Sequence, residues 1–287
     1  MNEHWKILFD ESNLVSLPDA YIKLQQLLAE DDYALADVAE IIGYDPAISA
    51  RLLRMVNSAY FGLAANIDTI SRAINYLGAQ QVHDLVLTTS IAETFSDIKN
   101  PAFNLYTFWQ QSIYCAIAAR ELAVLCNVLD SERLFVAGLL HKIGQLMMSQ
   151  AIPQLTLQAQ QLAEQSGFTL AKAEQEAIGF DYTQAGAELL QHWKLPTSLT
   201  MTTRYQLQPA LADDFSLEVS IIHIAAAMAG AFDQQQTAVS IYSALDDFAL
   251  DLCNIDEDHL IMIDRLVLES HSAVASLLFP QLKASGF

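Results

Sequence analysis

The sequence predicts an all-α protein, on three observations. Gly and Pro are scarce, 10 and 7 in 287 residues. Apolar residues recur at the spacing of one helical face almost everywhere, without the strict alternation of a half-buried strand. Breaks in that pattern carry helix-start punctuation, a cap residue followed by Pro.

Taken in order, Leu17-Pro18 opens a helix with Tyr21, Leu24, Leu27 and Leu28 on one stripe, Pro standing where its missing N–H costs nothing. Asp45-Pro46 repeats that start, with Ile48, Leu52, Leu53 and Val56 as the buried face and Gly43 separating it from the helix before. The segment Thr69–Leu77 ends at Gly78, expected as a left-handed cap. A longer helix follows through Leu85, Val86 and Phe95. Ser96–Phe103, SDIKNPAF, gathers Ser, Asp, Asn and Pro and marks a subdomain boundary. Helices are then expected near Phe108–Cys126, Ser131–Ser149, Pro153–Gln165, Thr169–Ile178, Thr183–Trp193 and Leu217–Phe232, with a final pair near Glu257–Ser270 and His271–Leu282. The implied architecture is a multi-helix bundle in two packed parts, residues 1–97 and 98–287.

A hydrophobic content of 53% supports compact folding over disorder. No apolar run approaches the roughly 20 uninterrupted residues of a bilayer span, and Met1–Asp10 lacks the layout of a secretion signal. The expectation is a cytoplasmic protein without a membrane. Cys115, Cys126 and Cys253 are odd in number, far apart and set in apolar helical pattern, so they read as reduced core thiols. Net charge is −20, and no Lys or Arg occurs from Tyr205 to Asp264. A field of this sign repels phosphate backbones and argues against nucleic acid and acidic membranes.

The stretch LFVAGLLHKIGQLMM, Leu134–Met148, resembles the core helix of the HD superfamily of metal-dependent phosphohydrolases, where a consecutive His-Asp pair precedes Ile-Gly. EAIGFDYTQAGAELLQHWKLP, Glu176–Pro196, is similar to the following segment of the HD-GYP and HDOD branches. YDPAISARLLRMVNSAYFG, Tyr44–Gly62, with ISRAINYLGAQQVHDLVL, Ile70–Leu87, resembles the N-terminal part of the HDOD domain. The resemblance implies a bacterial regulatory protein of signal transduction, with a C-terminal part of HD-like fold.

The superfamily's enzymes hold one or two divalent metals on His and Asp side chains from several helices and activate water against a phosphate ester. Carried over residue by residue, the expected set is depleted. Gln111 stands where His is common, Lys142 replaces the acid after His141, and Tyr182 replaces the His of GFDY. Arg204-Tyr205 falls at a His-His pair, and Ala226 stands where the metal enzymes have Asp. Exchanging a carboxylate for an ammonium excludes a dication from a poorly solvated pocket. No metal or other cofactor is therefore expected, His141 reads as a satisfied core histidine, and Lys142 as a stem on apolar surface with its ammonium in water. The remnant pocket of Gln111, His141, Lys142, Tyr182, Arg204, Tyr205 and Ala226 is then a candidate ligand site on a non-catalytic scaffold, whose partners would be signalling proteins or a small molecule. With both ends of the chain used by the bundle, no attached signalling domain is expected.

Two rival readings stay open. A rebuilt phosphohydrolase could hold phosphate with Lys142 and Arg204, with Asp181 and Glu176 as its compensating acids. A helix-turn-helix could lie in Ala34–Ser58 with Arg51 reading DNA, although an αα hairpin has the same pattern. Arg54 and Asn57 are expected to hydrogen-bond backbone at the helix end and the AYFG turn. His83-Asp84 is a second His-Asp pair without companion ligands and reads as structural, as do the scattered His192, His223, His259 and His271.

Overall fold

Asp45 shows how locally these helices are specified: its side chain accepts hydrogen bonds from the Ala47 and Ile48 nitrogens, with Pro46 at the first helical position. Thr69, Asn104, Asp130, Thr169 and Asp181 cap later helices in the same way. The structure is a computed structural model describing residues 3–10, 17–30, 32–58, 66–95, 100 and 103–279. Among these residues there are sixteen α-helices, two 3-10 segments and no strand. The helices are α1 (Glu3–Leu8), α2 (Asp19–Leu28), α3 (Leu35–Gly43), α4 (Pro46–Val56), α5 (Ile70–Leu77) and α6 (Ala79–Thr94). Then come α7 (Leu105–Leu125), α8 (Ser131–Leu140), α9 (Ile143–Ala151), α10 (Pro153–Ser166), α11 (Leu170–Ala177) and α12 (Tyr182–His192). The last four are α13 (Thr197–Tyr205), α14 (Ser216–Asp233), α15 (Asp247–Cys253) and α16 (Glu257–Leu278), with 3-10 turns at Pro209–Leu211 and Ala238–Ala244.

The all-α expectation holds, with corrections. The apolar run expected as one helix over Ser131–Ser149 is two, broken at His141-Lys142, where Lys142 adopts φ −111°, ψ 18°. The expected final pair is the single helix α16, because Ser270-His271 contains no breaker. Helices α13 and α15 were not expected. Gly78 has the positive φ expected of it, 89°, but ψ is 156°, so it lies outside the left-handed helical region, in one that essentially only Gly enters.

Two units divide the chain: residues 1–15 with 97–265, and residues 16–96 with 266–287. This differs from the expected 1–97 and 98–287 at both termini. The reason at the N-terminus is α1, whose Trp5 ring meets Phe180 edge-on at 4.7 Å while His4 Nδ1 lies 3.1 Å from the Ile178 carbonyl oxygen. The expected boundary SDIKNPAF lies, apart from Asn100 and Phe103, outside the described residues.

In the smaller unit α2 packs on α3 and α6, and α4 and α5 both pack on α6. Tyr21, Val38, Ile42, Ile48, Leu52, Val56 and Ile74 are buried there. Asn57, the residue after α4, ties the unit's loop down: its Nδ2 donates to the Leu53 and Ile67 carbonyls at 2.8 and 2.6 Å, and its Oδ1 accepts from Ile67 N–H at 2.7 Å.

In the larger unit α7 lies along α8 and α14, α9 packs on α12, and α12 on α13. Two glycines of GLLHKIGQ make that assembly possible. A Cβ on Gly138 would sit 2.7 Å from the Ala116 Cα and the Cys115 oxygen, so only Gly lets α8 approach α7. A Cβ on Gly144 would run into the Tyr182 carbonyl and lie 2.6 Å from the Gly186 nitrogen. The pair therefore fixes the His141-Lys142 turn from both sides. By length and composition α14 is the one helix among the described residues that could cross a membrane, and half of it is buried within the fold.

Candidate functional site

The α8–α9 turn points its two polar side chains in different directions. His141 is wholly buried, and its Nδ1–H donates to the Gly138 carbonyl at 2.6 Å. That fixes the tautomer and leaves Nε2 a bare lone pair, for which no partner falls among the described residues. The expected satisfied core histidine is therefore only half satisfied. Burial first, and then the neighbouring Lys142 charge, depress its pKa to about 3, so the ring is neutral.

Lys142 also departs from expectation. Its ammonium does not stand free but donates to Gln111 Oε1 of α7 at 2.8 Å. Burial lowers its pKa, partly opposed by Cys115, Asp233 and Glu174. The deepest acid nearby is Glu174 of α11, a residue that sequence reasoning missed in favour of Asp181 and Glu176. It is 3% exposed, accepts from Tyr182 N–H at 2.8 Å, and burial pushes its pKa up to about 8. Glu176 is exposed, whereas Asp181 serves as the α12 cap, accepting from the Thr183 and Gln184 nitrogens while Gln184 Oε1 accepts from Asp181 N–H. The one available signal for Glu174 was its place on the stripe Ala171, Glu174, Ile178.

Lys142, Tyr182, Arg204 and Tyr205 line one open pocket of about 880 Å³. Gln111 stands behind it as the partner of Lys142. His141 is too deep to face it, and Ala226 of α14 is not on its wall. Sequence reasoning missed Lys172, which lines the same pocket and places its Nζ 3.9 Å above the Phe168 ring. Lys142, Lys172 and Arg204 are three of the chain's 14 basic residues. The nearest acid to Arg204 is Glu188, at 3.8 Å.

The divalent metal that the resemblance implies does not fit these donors. His141 offers one buried nitrogen, Lys142 an ammonium and Gln111 a neutral amide already engaged. Among the described residues no three His, Cys, Asp or Glu side chains converge as a ligand set. His223 is spoken for, its Nδ1–H donating to the Gln206 carbonyl at 2.7 Å and its Nε2 accepting from Asp246 N–H at 3.1 Å.

Elsewhere, His83 and Asp84 of α6 pair at 2.9 Å, both buried, with the imidazole against the Tyr21 ring at 4.9 Å. Arg51, the candidate DNA-reading residue, donates instead to the Thr89 and Ala47 carbonyls. Asn57 binds backbone as expected, at Leu53 and Ile67. Arg54 is exposed with no partner among the described residues, so its expected backbone hydrogen bond is not found there. The AYFG turn lies outside the described residues.

The HDOD domain profile matches residues 14–209. A crystal structure of an HDOD domain protein of unknown function from Geobacter sulfurreducens aligns with TM-score 0.77 and 22% identity, covering 93% of this chain and 94% of that one. One of a candidate phosphohydrolase from Shewanella amazonensis SB2B aligns with TM-score 0.75 and 25% identity, covering 96% and 97%. A candidate signal transduction protein from Marinobacter aquaeolei VT8 aligns with TM-score 0.68 and 18% identity, covering 92% and 59%. In sequence the chain is 23% identical over 194 residues to an uncharacterised Treponema pallidum protein, covering 67% of itself and 37% of that longer protein. The chain belongs to the HDOD domain family.

Proposed function

We propose that this HDOD protein is a non-catalytic regulator in signal transduction that works by binding, with the pocket at Lys142, Tyr182, Arg204 and Tyr205 as its recognition surface. One observation carries the reading: the position that would need a carboxylate holds an ammonium, and that ammonium is anchored to Gln111 at 2.8 Å. A positive charge placed there opposes a dication. The three basic groups around the pocket, in a chain of net charge −20, favour an anionic ligand or an acidic partner segment. The name of the Marinobacter relative is in keeping with a signalling role, although that likeness speaks to the fold alone.

A phosphodiesterase assay on bis(p-nitrophenyl) phosphate with added Mn²⁺ tests the reading. The expected result is no turnover above the protein-free rate. Turnover that disappears on Asp181→Ala would replace the scaffold with a rebuilt phosphohydrolase.

A further inference from the structure

Cys126 and Cys253 stand 127 positions apart in sequence and meet in the larger unit. Cys126 follows the last turn of α7 and Cys253 ends α15. The Cys126 thiol lies 3.6 Å from the Cys253 carbonyl oxygen and donates to it. Both are free thiols. Their accessibilities differ in a useful way, since Cys126 is half-buried and Cys253 is 6% exposed. Oxidant can therefore reach the first, and the second waits behind it. The third thiol, Cys115, is wholly buried mid-way along α7.

We propose that Cys126 and Cys253 form a peroxide-sensitive thiol pair that closes to an intramolecular disulfide joining the end of α7 to the end of α15. In the first step the Cys126 sulfur attacks one oxygen of hydrogen peroxide, the O–O bond breaks, and a sulfenic acid and water result. In the second the Cys253 sulfur attacks the Cys126 sulfur, the S–O bond breaks and a second water leaves. The two thiols give up two hydrogens and two electrons, and peroxide is reduced to two waters. The Cys253 side chain beside Cys126 holds that thiol below its ordinary range, while the same contact and then burial push Cys253 up, which matches an attacking Cys126 and a resolving Cys253. Asn127 and Asn254, next to the two cysteines, both take positive φ, 57° and 52°. Each helix thus turns away at the residue after its cysteine, where a small adjustment can bring the two sulfurs together. α7 also carries Gln111, so the bond would tether the helix that anchors Lys142.

The test treats reduced full-length protein with a slight excess of hydrogen peroxide, blocks remaining thiols with an alkylating agent, and digests with trypsin without reduction. The expected product links peptide 121–133 to peptide 205–265, two hydrogens lighter than their sum, with Cys115 alkylated in full. Free thiols per chain fall from three to one, and the thermal midpoint rises by roughly 5 °C and returns with dithiothreitol. In Cys253→Ser the intermediate should persist and be captured by dimedone on Cys126. Three thiols surviving peroxide would overturn the proposal, as would linkage through Cys115 or bonds only between chains.

Discussion

The ammonium of Lys142 donates to Oε1 of Gln111 at 2.8 Å, tying the α8–α9 turn to the middle of α7. The contact matters because an ammonium this poorly solvated needs an acceptor. Gln111→Leu removes it, and we predict a loss of about 1 to 3 kcal/mol in denaturant unfolding. Restoring an apolar pair with Gln111→Leu plus Lys142→Met should recover most of that loss. Equal losses in the single and double variants would show that the hydrogen bond is not what Gln111 contributes.

Gly144 supplies a second prediction. Its missing Cβ lets α9 touch the Tyr182 carbonyl and Gly186, both backbone atoms that cannot rotate away. Gly144→Ala should cost about 3 kcal/mol or more, or leave the protein insoluble. Gly43, at the end of α3, has nothing within 4 Å of where a Cβ would go and no positive φ, so Gly43→Ala should be neutral or stabilising by up to about 1 kcal/mol. Thermal melts of the two variants side by side decide this.

Much of the fold and part of the site were legible in the sequence, and the division follows from range. Asp45-Pro46, Thr69 and Asp181 act on nitrogens two or three residues away, so their helices could be read locally. The break at His141-Lys142 could not, because the run from Leu134 to Met148 stays apolar and the turn contains neither Gly nor Pro. α13, TSLTMTTRY, is rich in Thr and was overlooked, since packing on α12 rather than propensity makes it helical. Glu174 was missed and Glu176 named in its place because both are acids on one short helix, and only the tertiary fold decides which faces inward. The meeting of Cys126 and Cys253 across 127 positions leaves no local trace at all.

The pH dependence of stability has a definite sign. Glu174 has a folded pKa near 8, above its ordinary carboxyl value, so the stability it contributes is full below about pH 4.5 and is lost as pH rises towards 8. His141 runs the other way: its folded value near 3 lies below the ordinary imidazole value, so its contribution is full above about pH 6.5 and is lost as pH falls towards 3. The two slopes oppose each other between these ordinary values. Chemical denaturation from pH 3 to 9 should therefore show stability rising at the acid end and falling between about pH 6.5 and 8. Glu174→Gln should flatten the alkaline fall, and an unchanged fall would assign it to another group.

Asn57 makes a fourth test, in the smaller unit. Its amide bridges Leu53 to both backbone groups of Ile67. Asn57→Ala should destabilise by roughly 1 to 3 kcal/mol, and Asn57→Asp, which keeps only the acceptor for Ile67 N–H, should fall between. Hydrogen exchange at Ile67 reports it, with faster exchange expected in the Ala variant and no change counting against the clamp.

The proposal that an anchored ammonium keeps a divalent metal out of this pocket is tested most directly by metal content. Protein purified without chelator and dialysed against metal-free buffer would be analysed by inductively coupled plasma mass spectrometry. We expect manganese, iron, zinc, cobalt and nickel each far below one equivalent per chain. Near-stoichiometric metal that survives dialysis would contradict the claim and return the pocket to catalysis.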